Sequence, residues 1–137
     1  MNTREKDVRT WSMLCHLSAL AGLFSGLLTV LGPLLVWQIK KNDLPEIEPH
    51  GKEAFNFQLT ILIINIVATI IIFGVLGFGF GFGQIWRNPF FLFSGGFGLG
   101  IILVIINLLS WILAIVAGLK ANEGGFYKYP FAIRFIK

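Results

Sequence analysis

Three long apolar stretches alternate with short polar stretches along the chain. The first covers residues 11–39, the second follows Glu53 and meets no charged residue before Arg87, and the third covers residues 90–119. A helix on the surface of a soluble domain would keep a polar stripe over such lengths. The pattern therefore predicts helices that leave water and enter lipid.

The pattern predicts an all-α fold, a polytopic membrane helical bundle in a single integral membrane domain over residues 1–137. It would contain a broken first segment of two short helices and two full transmembrane helices, at residues 52–76 and 97–119. The Gly/Phe-rich stretch 77–96 between them is expected to form a loop, since alternating glycines disfavour a stable helix.

Two interpretations of residues 11–39 remain open. The stretch is longer than one crossing needs, so it would form either one tilted or kinked helix or a hairpin. In the hairpin, pieces at about 11–24 and 30–41 turn near Ser25 and Gly26, and Pro33 falls in the first turn of the second piece.

The distribution of Lys and Arg favours the hairpin. The chain has 11 such residues, and a hairpin leaves all of them except Arg87 on one side. The positive-inside rule then predicts that both termini are cytoplasmic and that the protein lies in a bacterial inner membrane.

Three polar segments complete the predicted order. Residues 1–10 form a mixed-charge lead, either a short interfacial helix or disordered. Residues 40–51 form a cytoplasmic connector in which Pro45 and Pro49 prevent a continuous helix. Residues 120–137 form an interfacial tail, extended or briefly helical, with aromatic rings among headgroups.

The amino-acid composition limits the kinds of partner that the chain is expected to bind. The chain is 55% hydrophobic and only 13% charged, which is far from the usual composition of a soluble domain. Because the basic residues behind the net charge of +4 flank apolar segments, we expect a lipid bilayer and anionic lipid headgroups as partners rather than nucleic acid. Other membrane proteins or a homo-oligomer remain open.

The densest polar run precedes the second apolar segment and suggests either a docking site or a polar lining. An alternative is helix capping and hydrogen bonding between helices. The same alternatives apply to two amides deeper in the apolar segments, which would join helices or line a path. The candidate residues are His50, Lys52, Glu53, Asn56, Gln58, Asn65 and Asn107.

His16, next to the single cysteine Cys15, is a further candidate for this polar group. With His50 or Glu53 it would bind a metal or relay protons, or it would form a structural hydrogen bond. Their spacing matches no known metal motif. No nucleophile and base pattern is visible either, so we expect no enzyme, cofactor or metal.

Five stretches of the chain together form a distinctive pattern, namely His16–Gly22, Gly32–Lys41, the run from His50 to Gln58, Lys120–Gly124 and Tyr129–Lys137. In these stretches the chain resembles a small bacterial membrane protein family of unknown function. This family is distantly related to the Tic-type component of the chloroplast inner-envelope import translocon. The resemblance implies a four-segment helical bundle and a role in protein translocation or membrane-protein assembly. The alternative function is a channel or transporter for ions or small solutes, lined by polar residues of the membrane helices.

Overall fold

A computed structural model describes residues 1–74 and 90–137, apart from the side chains of residues 73, 90–97 and 99. This part of the chain is all-helical and contains no strand. Four α-helices follow one another, namely α1 (Thr3–Leu17), α2 (Leu28–Lys40), α3 (Glu48–Gly74) and α4 (Phe90–Asn122). Short 3₁₀ helices at Ser18–Leu23 and Pro45–Ile47 follow α1 and precede α3.

The polar lead belongs to α1. The side-chain oxygen of Asn2 accepts a hydrogen bond from the backbone N–H of Glu5 at 2.8 Å and so caps the helix. Glu5 and Arg9 form an ion pair one turn apart at 3.0 Å. These local interactions extend the helix to Thr3, so the first helix begins eight residues before the predicted position.

The first apolar segment is a helical hairpin, as the charge distribution predicted. The Cβ-free backbone of Gly32 on α2 lies against the carbonyl group of Ser18, and the Lys40 ammonium lies 5.0 Å from the Trp11 ring centre. The two arms of the hairpin therefore contact each other both near the turn and at the open end. Pro33 lies at the sixth position of α2 rather than in its first turn, because the helix begins at Leu28, before the predicted residue 30.

Helix α3 begins at Glu48, four residues before the predicted start. Pro49 is its second residue, where a missing backbone N–H costs no helical hydrogen bond. Glu48 and Lys52 pair across the first turn. His50 and Gly51 therefore lie inside the helix, and the predicted end at residue 76 falls outside the described residues.

Helix α4 contains 33 residues and starts seven residues before the predicted position. Residues 90–96, expected in the Gly/Phe-rich loop, are helical, whereas residues 77–89 of that prediction lie outside the described part. Helix persists through Ser94-Gly95-Gly96 despite its low propensity, which is consistent with an apolar surrounding where backbone groups must bond within the chain.

The chain divides into two compact units. We call Met1–Leu62 with Ser110–Lys137 the terminal unit and Ile63–Leu109 the middle unit. In the terminal unit, one buried cluster comprises Cys15, Trp37, Leu44 and Ile47. A second comprises Ala54, Phe57, Ala117 and Tyr129.

In the described part of the chain, two helices have the length and composition of membrane spans. They cover Pro45–Ile72 and Gly100–Asn122, with mean hydropathies of 2.2 and 2.7. Only about a fifth of each apolar window is buried, at 22% and 17%. Such apolar and outward-facing surface would be unstable in water, so it is suited to lipid.

Candidate functional site

The tail after α4 folds back over the first turns of α3. Gly124 adopts a positive φ of 86° and ends the helix, and the backbone N–H of Gly125 bonds to the Lys120 carbonyl at 2.9 Å. A Cβ at Gly124 would lie 3.1 Å from the Arg9 guanidinium carbon. The glycine thus permits both the turn and the close approach of α1.

Glu53 fixes the middle of the tail from a buried position. Its side chain accepts a hydrogen bond from the backbone N–H of Tyr129 at 2.8 Å. The Arg134 guanidinium makes a longer contact of 3.4 Å with the same carboxylate oxygen. Since Glu53 is only 5% exposed, loss of either partner would leave a buried carboxylate poorly compensated.

Asn56 holds the end of the tail through both atoms of its amide. The Asn56 oxygen accepts hydrogen bonds from the backbone N–H groups of Phe135 at 3.1 Å and Ile136 at 3.0 Å. The Asn56 nitrogen donates to the Ile136 carbonyl at 2.8 Å. One side chain thereby satisfies three backbone groups of a segment that has no regular secondary structure.

Thr60 continues this row one turn deeper. Its hydroxyl donates to the backbone carbonyl of Asn56 at 2.7 Å and accepts from the backbone N–H of Ile133 at 3.0 Å. Residues 53, 56 and 60 are spaced three and four apart, so they share one face of α3. Side chains on this face of α3 form hydrogen bonds with the backbone of the tail. The edge of a β-sheet would bind a peptide with its own backbone groups instead.

Two histidines and a tyrosine form a chain of contacts in the same unit. His16 Nδ1 lies 3.0 Å from the Tyr129 hydroxyl, and His16 Nε2 lies 3.2 Å from His50 Nδ1. One proton arrangement satisfies both contacts if Tyr129 donates to His16 and His16 donates to His50; the opposite direction satisfies them equally well. The structure therefore joins the two histidines that the sequence suggested as a pair.

Burial favours the neutral forms of the His16 and Tyr129 side chains. On α1, outside both candidate membrane spans, burial lowers the pKa of His16 to about 3, with a further contribution from neighbouring His50. Burial, assisted by Tyr127 and Glu53, raises the pKa of Tyr129 far above its usual range. Tyr129 also stacks on Phe57, with ring centres 4.1 Å apart and an interplanar angle of 6°, so the ring anchors the tail as well.

Lys52 and Gln58 occupy different surroundings. Lys52 is partly exposed, pairs with Glu48 and donates to the Lys137 carbonyl at 2.9 Å. Gln58 is buried, and neither its amide nitrogen nor its amide oxygen has a hydrogen-bond partner among the described residues. The polar residues at 50–58 therefore comprise side chains that bind the tail, an outer ion pair, a histidine in contact with His16, and one amide without a described partner.

Asn65 and Asn107 form a reciprocal amide pair in the middle unit. Each nitrogen lies 3.2 Å from the oxygen of the other side chain. Asn107 also donates to the Leu103 carbonyl at 2.7 Å. Because each amide satisfies the other, this pair fits the predicted role of joining helices in an apolar environment.

A cavity of about 480 Å³ opens beside the tail in the terminal unit. Residues from the first turns of α3 line one side and tail residues line the other. They include Glu48, Lys52, Glu53, Phe126 and Arg134. The cavity is thus bordered by two ion pairs and an apolar ring.

Within residues 1–74 and 90–137, no group of three or more His, Cys, Asp or Glu side chains lies close enough together to hold a metal ion. His16 and His50 meet without a third such ligand. Their described contacts are with Tyr129 and Phe126, whose ring centre lies 5.3 Å from that of His50.

Sequence reasoning missed the tail as the partner of the polar run. It singled out Glu53 and Asn56 but not Thr60, Tyr129 or Arg134. One signal was available: an irregular segment must find partners for its backbone N–H groups, and unassigned acceptors lay on α3. The pairing itself depends on contacts between residues more than 70 positions apart, which local patterns do not encode.

The fold and one polar cluster define a small helical membrane protein whose tail is fixed to the entrance of its first long helix. The members of this polar cluster are His16, His50, Glu53, Asn56, Thr60 and Tyr129. The sequence matches the MamF/MmsF family, the magnetosome magnetite crystal formation protein family, over residues 7–136. The chain belongs to this family. No curated protein and no solved structure shows significant similarity to it.

The family match confirms the resemblance to a small bacterial membrane family. It gives no support to the more distant relation to the Tic-type import component, which stays a prediction. The match includes both candidate spans and every residue of the polar cluster.

Proposed function

We propose that this chain acts in the formation of magnetite crystals at a bacterial membrane, the role that its family's description names. The observation that carries the proposal is the extent of the family match, which includes the hairpin, both long helices and the tail. In this account the protein is a non-enzymatic membrane component, and its ordered polar end presents a fixed surface to other components.

A complementation experiment tests this role. The gene for this chain would replace the resident family member in a magnetite-forming bacterium whose crystals change when that member is deleted. Electron microscopy of crystal size is the readout, and immunoblotting of membranes measures protein abundance. Restored crystal size is expected. Unrestored crystals at normal membrane abundance would contradict the proposal.

We also propose that the protein lies in the inner membrane with both termini in the cytoplasm. Support comes from the terminal unit, in which Arg4 binds Glu46 of the connector at 2.9 Å and Lys52 binds the tail. Both termini and the connector therefore belong to one unit, which agrees with the topology that the charge distribution favours.

Cysteine labelling tests this topology, because Cys15 is buried. Asn42→Cys should react with a membrane-impermeant maleimide only after permeabilisation, whereas Ile85→Cys should react in intact cells. Labelling of both positions from the same side would contradict the hairpin topology.

The alternative of a channel has less support from the described contacts. Of the three proposed lining residues, Asn65 and Asn107 satisfy each other, whereas buried Gln58 has no hydrogen-bond partner among the described residues. A role in protein translocation is supported only by the Tic-type resemblance, and recovery of translocating chains by crosslinking would be the observation that favours it.

A further inference from the structure

The cavity beside the tail has the features of a site for a phosphate group. Its volume is about 480 Å³ and it is open to the surroundings. Two of its cationic side chains, Lys52 and Arg134, come from α3 and from the tail respectively. A ligand bound there would contact both of the segments that the polar cluster joins.

Arg134 retains most of its capacity to donate hydrogen bonds. A guanidinium carries five N–H donors, and Arg134 makes a single described side-chain hydrogen bond, the 3.4 Å contact with Glu53. Its side chain is 42% exposed. Planar N–H groups of this kind match the oxygens of a phosphate.

Lys52 provides a second donor. Its ammonium group has three N–H bonds, of which the described contacts with Glu48 and with the Lys137 carbonyl use two. The side chain is 27% exposed. The basic residues Lys52, Arg134 and Lys137 line the cavity together with the acidic residues Glu48 and Glu53.

The apolar part of the lining favours a lipid over a free ion. Phe126 and Ile136 border the cavity, and Phe126 is 47% exposed. The cavity also lies along the first turns of the helix in the candidate span Pro45–Ile72, where the chain enters lipid. Glycerol and the upper acyl carbons could cover these side chains.

We infer that this cavity binds the phosphate-bearing headgroup of an anionic phospholipid, with Arg134 and Lys52 on the phosphate and Phe126 and Ile136 against the glycerol. The site is independent of the proposed role in crystal formation. It gives the tail a second function, because the fixed tail supplies the arginine that completes the site.

Native mass spectrometry of the full chain released from a non-ionic detergent tests this site. The probes are phosphatidylglycerol and phosphatidylcholine, with inorganic phosphate as competitor. Phosphatidylglycerol should bind, and Arg134→Gln should weaken its binding roughly tenfold or more, the loss expected for hydrogen bonds to a charged group. Lys128→Gln, which removes an exposed tail cation outside the cavity, should change binding little.

Arg134→Lys keeps the positive charge and is the control for a folding defect. It should bind more phosphatidylglycerol than Arg134→Gln does, and its unfolding temperature should be unchanged. Competition by inorganic phosphate at similar concentration would support the phosphate site but assign it to the free ion. Equal binding of phosphatidylcholine, or equal losses in Arg134→Gln and Lys128→Gln, would overturn the inference.

Discussion

The terminal and middle units use polar side chains in different ways. In the terminal unit, buried Glu53, Asn56 and Thr60 bind the backbone of an irregular tail. In the middle unit, apolar side chains such as Ile66 and Val104 are about half exposed, and one amide pair is half-buried between helices. Polar side chains thus order the tail in the terminal unit and connect helices in the middle unit.

This difference has a physical basis. Backbone groups of a helix satisfy each other, so an apolar helix in lipid needs few polar side chains. A tail without regular structure has no such internal partners, and each buried N–H left unpaired costs about 1–3 kcal/mol. The polar residues therefore concentrate where the irregular segment packs.

Glu53→Ala should have the largest effect on stability. It leaves the Tyr129 N–H without its acceptor and Arg134 without its ion-pair partner, and we expect a loss of about 2–4 kcal/mol. Thermal unfolding in detergent micelles measures it. Glu53→Gln keeps an acceptor and is the matched control, with a loss of about 1 kcal/mol. Equal losses in both variants would show that the hydrogen bond from the Tyr129 N–H to Glu53 does not stabilise the protein.

The hairpin of the terminal unit offers a test of packing instead of polarity. A Cβ at Gly32 would collide with the backbone carbonyl group of Ser18, whereas a Cβ at Gly26 meets nothing within 4 Å. Gly32→Ala should therefore cost about 1–3 kcal/mol. Gly26→Ala should leave the unfolding temperature within a few degrees of the original, and the reverse order would contradict the observed hairpin.

Acidification should weaken the terminal unit. His16 has a pKa of about 3 in the folded protein and an ordinary value of about 6.5 when unfolded. The unfolded chain therefore binds more protons below pH 6.5, so stability is present above that pH and falls as the pH drops toward 3. Between pH 6.5 and 5 the loss is about 2 kcal/mol. Unfolding temperatures measured across this range should fall in the original protein and fall less in His16→Gln. An identical slope in both proteins would exclude His16 as its source.

The amide pair of the middle unit should contribute least. A double-mutant cycle on Asn65→Ala and Asn107→Ala should give a coupling of about 0.6 kcal/mol, the average for such bonds in membrane proteins. Each single substitution should leave the tail contacts intact. A coupling near zero would show that the two amides do not stabilise each other, and a value above about 2 kcal/mol would contradict the contrast between the units.

The residue pattern was sufficient to predict the helical class, and it favoured the hairpin over a single span. Apolar length identified α3 and α4, and the concentration of Lys and Arg at one side favoured two short helices over one long helix. The role of Asn107 with Asn65 was also predictable, because an amide inside an apolar helix needs a partner. These conclusions rest on local composition and on rules that hold for any chain.

The arrangement of the tail was not predictable in this way. Glu53 and Lys52 were predicted to serve a docking site, a polar lining or helix capping, but the tail was not identified as their partner. Glu53 binds Tyr129, and Lys52 binds the end of the tail as well as Glu48 on its own helix. Which partner a polar side chain takes depends on how segments distant in sequence pack. The starts of α3 and α4 also differ from prediction, since Pro49 and Ser94-Gly95-Gly96 are compatible with helix in these surroundings.

Hydrogen exchange of the tail amides, measured on the full chain in lipid nanodiscs, tests whether the tail is bound to α3. The N–H groups of Tyr129, Ile133, Phe135 and Ile136 should exchange slowly in the original protein. Asn56→Leu should speed exchange at Phe135 and Ile136 while leaving Ile63–Leu109 unchanged. Free-peptide exchange rates across the tail of the original protein would contradict the account, because the tail would then not be bound to α3.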